Sequence, residues 1–178
     1  MPRRDWSRLI AGLTLAAPAA LVARAETYLS ETQAAAIFFP GIKMEPRPFE
    51  LTANQAKAVA KTSGERVRDR KIRAWVGSAG ETMIVDEVVG KHDFITYAVG
   101  IGPDGKVRGV EILDYRETYG YEIRKADWRR QFVGKSAGDP LRIDKDIRNI
   151  SGATLSSVHV TNGVRRVLRI YEVFKARG

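Results

Sequence analysis

The chain has 178 residues, a length that supports one ordinary domain with a substantial core but not two. Hydrophobic residues make up 44% and charged residues 29%, which excludes a disordered, collagen-like or polytopic membrane chain. There is no cysteine, so disulfides, thiolate iron–sulfur clusters and thioether-linked haem are excluded as well.

Residues 1–25 have the pattern of an export signal. A start with three arginines precedes the apolar stretch 9–22, and residues 23–25 read Ala-Arg-Ala, a small-x-small cleavage site. The apolar stretch is short for a membrane-spanning helix. We therefore expect cleavage before Glu26 and a periplasmic protein, with an uncleaved anchor as the alternative.

The formal net charge is +9, and residues 1–25 contribute +3 of it through four arginines and one aspartate, which leaves about +6. A basic balance of this size suits an acidic protein partner or an anionic membrane surface. Export disfavours nucleic acid as the partner.

Two capping boxes predict the first helices. In each, a hydroxyl residue is followed three positions later by glutamine, the pattern that satisfies free backbone N–H groups at a helix start. The pairs are Ser30 with Gln33 and Thr52 with Gln55, which predict helices over 31–38 and 53–62. Residues 26–70 are thus predicted to be an N-terminal helical extension of a domain over 71–178.

From Lys71 onward the apolar residues recur with period two, which is typical of strands. The alternation predicts strands over 72–76, 83–85 and 95–101, and Gly102-Pro103-Asp104-Gly105 predicts a hairpin turn into 106–115. Residues 117–120 are expected to form a loop, 122–132 a short helix and 141–147 another strand. This part of the chain is therefore predicted to be an antiparallel meander.

The last segment, 155–175, carries apolar residues at helical spacing and arginines opposite them. Gly163 within it predicts close contact with the sheet, because glycine costs a helix about 1 kcal/mol relative to alanine. The arginine face is expected to be solvated or to dock an acidic partner or lipid headgroups. The predicted fold class is α+β, a twisted antiparallel sheet packed by helices with a long C-terminal amphipathic helix.

The run 151–157, Ser-Gly-Ala-Thr-Leu-Ser-Ser, lies directly before this helix. Free N–H groups and the positive end of the helix dipole favour an anionic group there. The glycine lets a ligand approach the backbone, and the hydroxyls can donate to phosphate or be esterified. Generic rules alone favour a plain N-cap role for Ser or Thr at such a position over a phosphate site.

The same run resembles the flavinylation site of the FMN-binding domain family, which includes flavin subunits of the sodium-pumping NADH:quinone reductase and of the Rnf complex. Two further segments are similar to family motifs. Residues 109–113 followed by 117–120 resemble its strand and Glu-Thr-Pro-Gly loop, and 131–135 its Gln-Phe-x-Gly-Lys segment. The resemblance spans roughly residues 80–175.

In that family a dedicated FMN transferase links FMN through a phosphoester to the last threonine of the motif, which implies attachment at Thr154. The resemblance also implies a phosphate nest and a loop that borders the flavin, formed respectively by Ser151, Gly152, Ala153, Leu155 and Ser156 and by Glu117, Thr118, Tyr119 and Gly120. The chain departs from the family at two positions. Arg148 stands where the family usually has an aspartate, and Tyr119 where it has a proline.

A flavin brings its own redox chemistry, so no catalytic acid or base is assigned. The two histidines, His92 and His159, are expected to be structural, and no metal is predicted. The resemblance implies an electron carrier between membrane or periplasmic redox proteins. Two alternatives are a flavin-free assembly subunit of a membrane redox complex and a periplasmic flavin-dependent reductase.

Overall fold

The computed structural model describes residues 26–27, 29–117 and 120–177. The predicted export signal, Thr118 and Tyr119 lie outside these described residues.

In the described part of the chain, seven strands form one antiparallel sheet: β1 (Glu26–Thr27), β2 (Glu45–Pro46), β3 (Phe49–Glu50), β4 (Lys71–Val76), β5 (Thr82–Val89), β6 (Phe94–Ile101) and β7 (Val107–Tyr115). Their order is β1-β7-β6-β5-β4-β2, and β3 also pairs with β4. The strands β4 to β7 are the predicted meander, which the structure confirms. The N-terminal segment is not helical alone, since it supplies the three short strands.

The α-helices among the described residues pack around the sheet: α1 (Glu31–Phe38), α2 (Ala53–Ser63), α3 (Ala126–Arg129) and α4 (Thr154–Lys175). Both predicted capping boxes are present at the starts of α1 and α2, with the hydroxyl and the glutamine each accepting a backbone N–H. The long C-terminal amphipathic helix is α4. The α+β fold class is therefore confirmed.

The sheet is covered on both faces. The larger core lies between the sheet, α2 and α4, and includes Trp128 and Phe132. On the other face, α1 packs its Phe38 over Gly100 and Gly109, which are paired across β6 and β7. A Cβ at either glycine would lie 2.5 to 2.7 Å from Phe38 atoms, so the two glycines form the slot that seats α1.

Two predicted elements are wrong. The helix expected over 122–132 is divided into a 3₁₀ turn at 121–124, α3 and a second 3₁₀ turn at 130–132, because Lys125 is extended with ψ 127°. The strand expected over 141–147 is a turn. There the Asp146 carboxylate accepts the backbone N–H groups of Leu141 and Arg142 at 3.1 and 2.8 Å, which folds the chain back on itself.

One arginine of α4 is not on a solvated face as predicted. Arg166 is 2% exposed, and its Nε and Nη2 donate to Oδ2 of Asp86 at 2.9 and 2.7 Å. The same carboxylate accepts the Tyr97 hydroxyl at 2.8 Å. Burial, together with the adjacent Asp86, raises the pKa of Tyr97 well above its ordinary value, so this hydroxyl remains a donor.

The predicted close contact at Gly163 is confirmed. A Cβ at this position would overlap the Tyr97 hydroxyl and lie 2.8 Å from Cγ1 of Val88. The missing side chain lets α4 approach the sheet at this point.

Candidate functional site

The first residue of α4 is Thr154, and the N-cap position is occupied by Ala153. Alanine has no side-chain oxygen, and no side chain among the described residues caps this end. The generic expectation of a Ser or Thr N-cap is therefore wrong. The first N–H groups of a helix have no acceptor within it, so this end of α4 presents donors and a positive dipole to an anion.

A tight turn leads into the helix. The N–H of Ala153 donates to the carbonyl of Ile150 at 3.0 Å, and Gly152 has a φ of 83°, which favours glycine. No described atom lies within 4 Å of a Cβ built on Gly152. Ser151 and Gly152 are exposed, so this side of the turn is open to a ligand.

The hydroxyls of the run differ in availability. Thr154 is exposed, whereas Ser156 and Ser157 are buried, with exposed fractions of 4% and 0%. Ser157 donates to Oδ1 of Asn149 at 2.8 Å and to the carbonyl of Thr154 at 3.0 Å. The exposed hydroxyls are thus those of Ser151 and Thr154, and only the latter lies in the first turn of α4.

Asn149 stabilises this turn through hydrogen bonds, a role that was not predicted from the sequence. Its Oδ1 accepts from the Ile150 N–H and the Ser157 hydroxyl, both at 2.8 Å, and its Nδ2 donates to Oγ1 of Thr154 at 3.4 Å. The known tendency of asparagine to bond to nearby backbone was the available signal. Asn149 therefore positions the threonine hydroxyl.

The predicted loop meets the start of α4 through Gly120. This residue has a φ of 90°, and a Cβ built on it would lie 2.8 Å from the Tyr115 hydroxyl oxygen, 3.1 Å from Oγ of Ser156 and 3.4 Å from Cβ of Ala153. The structure thus brings the described end of the predicted 117–120 loop against the 151–157 run.

The carboxylate of Glu117 is turned toward another part of the chain. It accepts the backbone N–H groups of His92 and Asp93 at 2.6 and 3.0 Å, in the turn between β5 and β6. Burial opposes ionisation, but the N–H donors of Asp93, His92 and Lys91 outweigh it and lower the pKa of Glu117. Glu117 therefore anchors the loop to that turn.

The third motif, residues 131–135, contacts the segment that leads into the turn before α4. Oε1 of Gln131 accepts from the backbone N–H of Arg148 at 2.9 Å and from its Nε at 3.3 Å. Nε1 of Trp128 donates to the Arg148 carbonyl at 2.7 Å. Gly120 and Gln131 thus connect the other two motifs to the start of α4 and to the segment before it, although the motifs are separated in sequence.

Two exposed apolar side chains belong to residues that adjoin this site in sequence. Leu155 is 49% exposed and Tyr121, next to Gly120, is 57% exposed. Together with the uncapped helix end and the open turn, this surface fits a ligand that combines a phosphate with an apolar ring system.

A metal site and a membrane-spanning helix each place requirements on the described residues. Within them, no group of three or more acidic, histidine or cysteine side chains is placed to hold a metal. His92 is exposed at a turn, and His159 contacts the Val89 carbonyl. None of the described helices combines the length and apolarity needed to cross a membrane.

Residues 90–169 match the family model of the FMN-binding domain. This part of the chain is similar to the FMN-binding domain family. The match includes the start of α4 and the segments 109–113, 117–120 and 131–135, and it supports the prediction that FMN is the cofactor.

Curated relatives are components of ion-translocating complexes. The chain is 27% identical to a component of the Na(+)-translocating ferredoxin:NAD(+) oxidoreductase complex of Acetobacterium woodii, over 71% of this chain and 70% of that protein. It is 31% identical to a component of an ion-translocating oxidoreductase complex of Pseudomonas aeruginosa, over 47% of this chain. A component of the proton-translocating ferredoxin:NAD(+) oxidoreductase complex of Clostridium ljungdahlii is 35% identical over 45% of this chain. The chain covers 44% and 47% of the latter two proteins.

Proposed function

We propose that this protein is an exported electron-transfer flavoprotein that carries FMN covalently, through a phosphoester on Thr154. The observation that supports this most strongly is the uncapped start of α4, where the exposed hydroxyl of Thr154 lies in the first turn of a helix inside the FMN-binding match. An ordinary structural helix of this length would gain about 1 kcal/mol from a Ser, Thr, Asp or Asn cap. Alanine at the N-cap leaves the N–H donors to a ligand.

The chain's own residues suit the phosphate of FMN. The N–H groups of Thr154, Leu155 and Ser156 lie in the first turn of α4, and the helix dipole adds a favourable field for a dianion. Ser151 supplies a further hydroxyl, and Gly152 leaves the approach open. Asn149 holds Oγ1 of Thr154 toward this end of the helix.

FMN supplies one- and two-electron transfer when it is bound, so the protein need only bind it, orient it and set its potential. Gly120 brings the 117–120 loop against the helix start, and Glu117 anchors that loop to the turn between β5 and β6. Leu155 and Tyr121 provide apolar surface beside the attachment point. We infer that the 117–120 loop, Leu155 and Tyr121 border the flavin.

Attachment requires a transferase and an activated flavin nucleotide. The bond that forms joins Oγ1 of Thr154 to the flavin phosphorus, and the bond that breaks is the phosphoanhydride of a flavin dinucleotide. A nucleoside monophosphate leaves with the bonding electrons, and the threonine proton passes to a base of the transferase. Because Thr154 is exposed, an enzyme has access to it.

The relatives' names support a place in a membrane redox complex, where this protein would pass electrons between partners. Residues 1–25 support export to the periplasm, with cleavage before Glu26. The chain without residues 1–25 has a net charge of about +6, because these residues carry +3 of the total of +9. This charge suits acidic partners or an anionic membrane surface.

The test is co-expression of the chain with an FMN transferase in an exporting host, followed by intact-mass measurement. The expected increase is the mass of FMN less one water, with yellow absorbance that persists under denaturing conditions. Thr154→Val removes the acceptor hydroxyl and should abolish the increase. Thr62→Val is the matched control, because Thr62 is also an exposed helical threonine but lies in α2.

Three outcomes separate the functions. A mass increase that is lost only in Thr154→Val supports the covalent carrier. Yellow protein with no added mass indicates non-covalent FMN, and contradicts the covalent link alone. Colourless protein of unchanged mass, made alongside an active transferase, contradicts the flavoprotein and favours an assembly role without flavin.

A further inference from the structure

A pocket lined by cationic side chains lies away from the flavin site. The end of α2, the 138–145 segment and the middle of α4 line this open pocket of about 440 Å³. Its charged lining consists of five cations and one carboxylate, namely Lys61, Arg142, Lys145, Arg165, Arg169 and Asp139. Arg165 is 11 residues after Thr154, so it lies about 16 Å farther along α4 at 1.5 Å per residue.

Arg165 is held in place at this pocket by neutral groups. Its Nε donates to the Ser63 carbonyl at 2.5 Å, its Nη1 to the Leu141 carbonyl at 3.0 Å, and its Nη2 to Oδ1 of Asn162 at 3.2 Å. These acceptors orient the guanidinium without neutralising it. Burial lowers the pKa of Arg165, and repulsion from Arg142 adds to this effect.

Most of the other pocket cations have no carboxylate partner among the described residues. Within the described residues, Lys61, Arg142 and Lys145 form no ion pair with a carboxylate, and Arg169 pairs with Glu172 through Nη1 alone. The Nε of Arg169 is buried and has no hydrogen-bond partner among the described residues. A buried donor without an acceptor costs about 1–3 kcal/mol, which a bound anion would offset.

The lining also indicates what kind of anion fits. Among the described residues, no aromatic side chain lines the pocket, so it offers no stacking surface for a nucleobase. Guanidinium groups pair with phosphate oxygens through two parallel hydrogen bonds, which suits a compact phosphate better than an extended peptide. Asp139 is engaged by the N–H and the hydroxyl of Ser136, at 2.8 and 2.9 Å.

We propose that this pocket binds a phosphate-bearing anion, either a small soluble phosphoester or the headgroup of an anionic phospholipid. The inference is independent of the flavin, since none of the pocket's charged residues belongs to the site at Thr154. A headgroup in this pocket would hold the domain at a membrane surface with α2 and the middle of α4 facing the lipid.

The experiment compares two double variants of the purified protein. Arg142→Gln with Lys145→Gln removes two exposed pocket cations whose side chains form no described hydrogen bond. Lys71→Gln with Lys106→Gln removes the same charge from exposed positions outside the pocket, on β4 and at the β6–β7 hairpin. Calorimetric titration with glycerol 3-phosphate probes the soluble source. Sedimentation with phosphatidylglycerol–phosphatidylcholine vesicles, against phosphatidylcholine alone, probes the lipid source.

The expected result is at least about tenfold weaker binding in the pocket variant, because each charge-assisted hydrogen bond is worth about a factor of ten or more. The control variant should retain its affinity at physiological ionic strength. The probe that responds identifies the source. Absence of binding to both probes, or equal weakening in both variants, would overturn the proposal, and repetition with Thr154→Val protein keeps this outcome separate from any failure of the flavin site.

Discussion

Gly120 offers a test of how the flavin site is assembled. Alanine at this position would have to adopt a left-handed conformation at φ 90°, which costs about 1–2 kcal/mol. Its Cβ would also lie 2.8 Å from the Tyr115 hydroxyl oxygen and 3.1 Å from Oγ of Ser156, in side chains that are both 4% exposed. Because neither neighbour has room to move, overpacking adds about 1–3 kcal/mol.

Gly134 is the matched control. Its φ is 81°, and no described atom lies within 4 Å of a Cβ built there, so Gly134→Ala carries the backbone cost without the overlap. The difference between the two variants in free energy of unfolding should therefore be about 1–3 kcal/mol. That difference corresponds to roughly 2–4 °C in Tm for each kcal/mol in a domain of this size.

The assay measures urea unfolding of both variants and the flavin incorporated per protein after co-expression with the transferase. Gly120→Ala should lose flavin as well as stability, because the displaced loop no longer meets Ser156. Gly134→Ala should retain its flavin. Equal stability and equal incorporation in the two variants would refute the proposed contact between the loop and α4.

Three further changes probe the frame that positions α4. Gly163→Ala should destabilise the protein despite a gain of about 1 kcal/mol in helix propensity, because the new methyl overlaps the Tyr97 hydroxyl; a raised Tm would contradict this. Asp86→Asn leaves Arg166 buried without its carboxylate and should cost about 3–5 kcal/mol in urea unfolding, whereas a loss under about 1 kcal/mol would show that the pair is dispensable. Glu117 has a lowered pKa, so its contribution is present above its ordinary value of 4.5 and is lost as pH falls through the folded pKa. Glu117→Gln should therefore be less stable than the unsubstituted protein at neutral pH, with a gap that closes as the pH falls below that ordinary value, and a gap independent of pH would refute this.

The sequence predicted the features that depend on neighbouring residues. The capping box of Ser30 and Gln33 placed the start of α1 correctly, since both hydrogen bonds span only three residues. The alternation of apolar residues in β5 to β7 predicted the meander, because this pattern too is set by residues close together in sequence. Glycine in the middle of a helix likewise predicted the close approach of α4 at Gly163.

Features that depend on distant partners were not predicted. Helical spacing placed Arg166 on the polar side of α4, but Asp86, 80 residues away, draws it into the core. Residues 141–147 were predicted to form a strand, but the Asp146 carboxylate ties Leu141 and Arg142 into a turn. Composition of the 151–157 run favoured a hydroxyl N-cap, and only the fold shows that Ala153 occupies this position.

Covalent capture of FMN by Thr154 is tested most directly by peptide mapping of the co-expressed protein. Tandem mass spectrometry of the peptide that contains residues 151–157 should locate a flavin phosphoester on Thr154, and Thr154→Ser should retain a modified peptide. An unmodified Thr154 in protein made with an active transferase, or a flavin located on Ser151 instead, would contradict the assignment.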